Sequence, residues 1–147
     1  MASFAEHKKI LKQIEAFKPQ LNKLVEGAGV LAVNHFTNSF REQGFTDETK
    51  EAWKPRKRAD RGRAKGNRAI LVKSGRLRRS LRSRRLGNLA VKILTDVPYA
   101  RVHNNGERSG RGKGFMMPKR QFIGYSGKLN RQIIAFLDKN IKRQFNK

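Results

Sequence analysis

The chain has 147 residues, with 35 Lys and Arg against 11 Asp and Glu, and a formal net charge of +24. That length suits one domain with a single modest core, and the charge opposes compaction and calls for an anionic partner or neighbour. The lack of cysteine excludes disulfides and thiolate metal sites. No apolar run approaches the roughly 20 residues of a membrane span, and the N-terminus lacks the apolar core of a secretory signal, so the expectation is a soluble protein made in the cytoplasm, with no membrane partner.

In chain order, residues 3–41 read as helical. Ile10, Ile14, Phe17, Leu21, Leu24, Ala28 and Leu31 recur every three or four positions and build one apolar stripe. Pro19 lacks a backbone donor and is best tolerated in a first helical turn. The pattern therefore predicts two helices, Phe4 to Phe17 and a longer one from Pro19 to Phe40, with Gly44 ending the second. Gly27 and Gly29 either weaken that helix or let another segment approach closely.

Residues 42–69 change character. The stretch EAWKPRKRADRGRAKGNRA is polar, basic and almost without periodicity, and reads as a long loop. Its one tryptophan, Trp53, is expected to anchor it to the body. Between Lys54 and Arg85 there are 15 basic residues and one acid, Asp60.

Ser74 to Leu86 is predicted as a short helix, with Ser74 as N-cap and Leu77 and Leu81 on one face. Leu89 to Val97 alternates as a strand. Pro98 opens the next segment, Tyr99 to His103 reads as a short strand or a helical turn, and Asn105-Gly106 is a turn signal. ERSGRGKG, residues 107–114, is a loop without an apolar residue. FMMPKRQFIG regains hydrophobicity as a strand or edge segment, and Leu129 to Phe145 is a helix with one broad apolar face. Helices, strands and a final helix predict an α+β domain: long N-terminal helices and a C-terminal helix packed on a small antiparallel β-sheet, with long basic loops. The expected organisation is one domain: residues 1–44 helical, 45–73 a basic loop, 74–125 the sheet region and 126–147 the C-terminal helix.

Catalytic chemistry finds no support in these residues. His7, His35 and His103 are far apart, the acids do not cluster, and no metal-ligand or nucleophile spacing occurs. GRGKG at 110–114 lacks the spacing of a phosphate-binding P-loop. No cofactor, metal or catalytic residue is expected. The basic segment would bind DNA or RNA through phosphates, but no zinc finger, RNP aromatic motif or zipper accompanies it, so such binding would not read sequence.

Three segments carry a resemblance: AWKPRKRADRGRAKGNRAILVKSGRLRRSL (52–81), VKILTDVPYARVHNNG (91–106) and MMPKRQFIG (116–124). Together they resemble the phage virion morphogenesis or tail-completion family, which includes Mu-like protein G and related neck proteins of tailed phages. The matching positions include Trp53, Pro55, Ser74, Gly75, Leu77, Arg78, Ser80, Pro98, Tyr99, Ala100, His103, Gly106, Met117, Pro118, Arg120, Phe122 and Gly124. The resemblance implies a structural virion protein of the head–tail neck, made in the host cytoplasm. It would assemble with itself into a hexameric or dodecameric ring around the DNA channel. Its other partners would be connector or portal-side proteins and tail-tube proteins, with nonspecific contact to DNA in the lumen. The two loops more basic than the family pattern fall where such a ring faces its neighbours or the channel. Their cations are Arg56, Lys57, Arg58, Arg61, Arg63, Lys65 and Arg68 in the first loop, and Arg108, Arg111 and Lys113 in the second. The alternative is a nonspecific nucleic-acid-binding protein, which would lose affinity steeply with salt.

Overall fold

A computed structural model describes residues 4–56 and 69–145. The first element, α1 (Phe4–Glu42), is one unbroken helix with Pro19 inside it, where the sequence predicted a break. Pro19 removes one intrahelical bond, which costs about 3 kcal/mol in a helix interior. Both Pro19 and Glu15, whose carbonyl loses its donor, are exposed, so water can satisfy that carbonyl. Phe17 and Leu21 on either side are half-buried and hold the chain on one course.

Gln43 ends α1 in the left-handed region, at φ 55°. Two short strands follow, β1 (Gly44–Thr46) and β2 (Lys50–Ala52), paired antiparallel with Gly44 opposite Ala52. The sequence predicted no strand here, because three-residue strands are too short to display an alternation.

After Ala69 the chain forms α2 (Arg76–Ser80), then β3 (Arg82–Leu86) and β4 (Ala90–Leu94). The predicted helix from Ser74 to Leu86 is therefore half helix and half strand. Leu77 and Leu81 are both buried as their spacing required, but Leu81 is already extended at ψ 124°. The chain then gains a five-pair ladder, from Arg82 opposite Leu94 to Leu86 opposite Ala90. Continuing the helix would have set Arg82 against Arg78 and Arg79, and Arg85 against Arg82, at like-charge spacings.

Next come α3 (Ala100–Asn105), β5 (Arg108–Ser109), β6 (Phe115–Met116) and α4 (Gly127–Phe145). The segment Tyr99 to His103 thus resolves as helix. Gly106 ends α3 at φ 73°, its N–H bonded to the Val102 carbonyl at 3.0 Å, which is the left-handed cap that favours glycine. Ser126 Oγ accepts the Leu129 N–H at 3.1 Å and Asp47 Oδ1 accepts the Gly127 N–H at 2.6 Å, so the start of α4 is capped by a serine and by the β1–β2 turn.

The architecture is α+β, with small antiparallel sheets as expected. Among the described residues they form three separate two-stranded ribbons, β1–β2, β3–β4 and β5–β6, rather than one sheet. A lone two-stranded ribbon is marginal in water, so the ribbons depend on the body. α1 is the organising element: α4 packs along it, and the β3–β4 hairpin packs along it as well. The core joins Phe36, Phe40, Phe45, Trp53, Leu77, Leu81, Val97, Phe122 and Leu129. Phe40 and Phe122 touch at a centroid distance of 5.2 Å.

Candidate functional site

The body uses its polar side chains to hold loop ends. Trp53 is buried, its ring edge-on to Phe40 at 5.4 Å, and its indole Nε1 donates to the Gln121 carbonyl at 2.7 Å. Arg120 is buried, and its Nε and Nη2 both donate to the Lys54 carbonyl, at 3.1 and 3.0 Å. Burial and the neighbouring charge of Arg56 lower the pKa of its guanidinium. Arg56 Nη2 donates to the Ala69 carbonyl at 2.9 Å. Gln43 completes the stem: its Oε1 accepts the Ile70 N–H at 2.5 Å, and its Nε2 donates to the Phe40 carbonyl at 2.7 Å. Arg56 and Gln43 therefore clamp the chain on both sides of the basic segment. Lys57, Arg58, Arg61, Arg63, Lys65 and Arg68 lie outside the described residues.

The second set of motif residues orders the chain around α3. The His103 carbonyl accepts the Arg120 N–H at 2.8 Å, and Tyr99 stands edge-on to the His103 ring at 5.9 Å. Asn104 Oδ1 accepts two backbone donors, Phe122 N at 3.0 Å and Ile123 N at 2.9 Å. Sequence reasoning missed Asn104 and Gln43. Neither carries a signal beyond being an amide at the edge of a turn. Of the other motif residues, Ser74 Oγ accepts the Arg76 N–H at 3.3 Å and Gly75 starts α2 at φ 67°. Leu77 and Phe122 are core, Pro118 is half-buried, and Pro98 is exposed.

His103 Nδ1 is buried and has no hydrogen-bond partner among the described residues. Its pKa is lowered from 6.5, chiefly by burial and then by the charge of Arg120. His35 is lowered too, chiefly by burial, despite its Nε2 bond to the Thr46 carbonyl at 3.1 Å. The folded state therefore binds fewer protons than the unfolded chain just below pH 6.5, and stability falls as the pH is lowered through that window. Thermal melts between pH 7.5 and 5 are expected to show a falling midpoint, and the double variant His35→Gln, His103→Gln is expected to flatten that slope.

The outward groups fall into two kinds. One is cationic. Arg108, Arg111 and Lys113 are exposed on the β5–β6 hairpin, with Arg108 Nη2 bonded to the Lys113 carbonyl. Arg76, Arg78, Arg79, Arg82, Arg84 and Lys92 are exposed on α2 and the β3–β4 hairpin. The structure thus spreads the arginines after Ser74 over a helix and an extended ribbon. The other kind is apolar: Phe115, Met116 and Tyr125 are 57, 67 and 77% exposed, and Leu11 and Ile14 on α1 are 61 and 53% exposed.

An open groove of about 1120 Å³ runs between α1, β1–β2 and the start of α4, lined by Asn34, His35, Asn38, Arg41, Lys50 and Lys128. Among the described residues no group of His, Cys, Asp and Glu could hold a metal ion and no helix is long and apolar enough to cross a membrane. The described side chains secure loop ends and present cationic and apolar surfaces. The model of the phage virion morphogenesis family matches residues 3–142, and the chain belongs to that family. No curated protein sequence and no solved structure gives a significant match.

Proposed function

We propose that the protein is a structural component of the head–tail neck of a tailed phage, a tail-completion or connector subunit that closes into a ring of copies around the DNA channel. Six or twelve copies, contacts to connector or portal-side proteins on one side and tail-tube proteins on the other, and no catalysis make up this role. Family membership supports a part in virion morphogenesis.

The observation that carries the assembly reading is the first part of α1. The Gly27 position of α1 lies against Phe136 of α4, and Gly127 at the other end of α4 bonds Asp47 just beyond α1. The two helices therefore run antiparallel. Only nine residues of α4 follow Phe136, so α4 ends near the level of Lys18 and the start of α1 extends beyond it. Lys8, Lys9 and all of Leu11 to Ala16 are exposed. An isolated helical arm shorter than about 12–15 residues is marginal in water. This one also displays Leu11 and Ile14, in line with the stripe that α1 buries lower down. A neighbouring copy covers it in a head-to-tail contact, the kind that closes into a ring.

The double variant Leu11→Asp, Ile14→Asp tests this. Both sites are exposed, so the fold should change by no more than about 0.5 kcal/mol per site. Native mass spectrometry is expected to show a multimer for the wild type and monomer for the variant, with unchanged circular dichroism. A wild type that stays monomeric beside its partners, or a variant that still assembles, would contradict the reading. A protein acting solely as a nonspecific nucleic-acid binder would give the first of those results.

A further inference from the structure

The outer face of the β3–β4 hairpin holds a charge arrangement that nothing else among the described residues resolves. Ser83 and Val91 face α1, because a side chain at Gly29 would meet both, at 2.9 and 3.0 Å. Strand alternation then places Arg82, Arg84 and Leu86 of β3 and Ala90, Lys92 and Leu94 of β4 on the opposite face. In this register Arg84 stands directly across from Lys92. Like charges directly opposed destabilise an antiparallel pair. Arg82 sits on the same face, about 6.6 Å further along the strand.

Among the described residues no carboxylate forms an ion pair with Arg82, Arg84 or Lys92. The hairpin's one ion pair there, Arg85 with Glu26 at 3.9 Å, belongs to the inner face. Charges on strand edges also guard against unwanted pairing, but one charge per edge does that without opposing two cations on a marginal ribbon.

We infer that this face is a phosphate-contacting surface: Arg82, Arg84 and Lys92 lie against the backbone of duplex DNA and neutralise it without reading sequence. The anion supplies what the register lacks, a negative charge shared by two facing cations. Composition favours DNA over an acidic protein. Centres of protein–protein interfaces are rich in aromatic residues, Met and Arg and poor in Lys, whereas protein–DNA interfaces are polar and strongly positive, so Lys92 beside the arginines and the lack of any aromatic anchor are what favour DNA. No aromatic residue or methionine occurs from Arg82 to Leu94. Leu86 and Leu89, 49 and 76% exposed, lie at the hairpin's turn end, away from Arg82, while the exposed Phe115, Met116 and Tyr125 lie elsewhere in the chain and suit a protein neighbour. The inference rests on the neck reading for the identity of the anion, since DNA is what passes through such a ring.

The experiment is equilibrium binding of the full chain to a short labelled duplex over a range of salt, for the wild type and for the triple variant Arg82→Gln, Arg84→Gln, Lys92→Gln. Three lost phosphate contacts should reduce the slope of log K against log salt by about 2.7. Between about 50 and 200 mM salt the variant should therefore lose about 40-fold less affinity than the wild type. The single variant Lys92→Gln, which relieves the Arg84–Lys92 opposition, should reduce the slope by about 0.9 and carries the test if the triple variant melts early, an unchanged slope there overturning the inference equally; Arg82→Lys, Arg84→Lys keeps the charges and should keep the wild-type slope. An unchanged slope in the triple variant, or no binding by the wild type at low salt, overturns the inference. So does a triple variant that binds DNA normally but is lost from particles, which would assign the face to an acidic protein. Incorporation of the wild type into virions is scored separately, so failure of DNA binding and failure of the neck reading remain distinguishable.

Discussion

Trp53→Ala is expected to lower the melting midpoint by about 10 °C, from a loss of about 3–5 kcal/mol at about 2–4 °C per kcal/mol for a chain this long. Trp53 is 6% exposed, and its truncation opens a cavity against Phe40 in the centre of the core. It also strips the Gln121 carbonyl of its indole donor, held at 2.7 Å. That bond ties the end of β2 to the segment that contains Arg120 and Phe122. Trp53→Phe separates the two effects. It keeps an aromatic ring against Phe40 and loses the donor together with the smaller volume difference between indole and phenyl; the unsatisfied buried carbonyl should account for about 1–3 kcal/mol. A loss below about 1 kcal/mol for Trp53→Ala, read by chemical denaturation, would show that the loop stem is held by other contacts.

Gly29→Leu is expected to push the β3–β4 hairpin off α1. A β-carbon at residue 29 would lie 2.9 Å from Ser83 Cβ and 3.0 Å from Val91 Cγ1. Ser83 Cβ is fixed to the strand backbone, so relief requires the whole strand to move. Overpacking of this kind costs about 1–3 kcal/mol, against roughly 0.8–1.0 kcal/mol gained from replacing a helical glycine. The change should appear locally. Amide hydrogens from Arg82 to Leu94 should exchange faster while those of the Phe36–Trp53 core keep their protection. If the outer face of this hairpin meets DNA, the same variant should bind a duplex more weakly even though no cation has been removed. Uniform loss of protection along the chain would instead mean that hairpin and core form one cooperative unit.

Much of the body was legible because its elements are long and periodic. The stripe from Phe17 to Leu31 and the apolar face of the last helix announced α1 and α4, and the Leu77–Leu81 pair announced a buried turn. What was hidden follows from physics that one sequence does not display. Pro19 predicted a break, but its exposed position lets water take over the lost bond and the helix continues. Arginines after Leu81 look alike on a helix or a strand; the ladder with Ala90–Leu94, which depends on partners downstream, decided between them. β1–β2 and β5–β6 are too short to carry a period. At the candidate site, Trp53 could be read as an anchor, since a lone indole in a polar segment has little else to do. Gln43 and Asn104 could not, because their work is to satisfy backbone donors brought close only by folding. The outward face of the hairpin was equally invisible until the register set Arg84 against Lys92.

A ring subunit at the head–tail junction must be present in the finished particle, and electron cryomicroscopy of purified virions looks for it there. Density into which α1, α4 and the β3–β4 hairpin fit as repeated copies around the channel between capsid and tail tube is the predicted result. Particles complete in head, neck and tail, with every ring of the junction accounted for by other polypeptides, would contradict it.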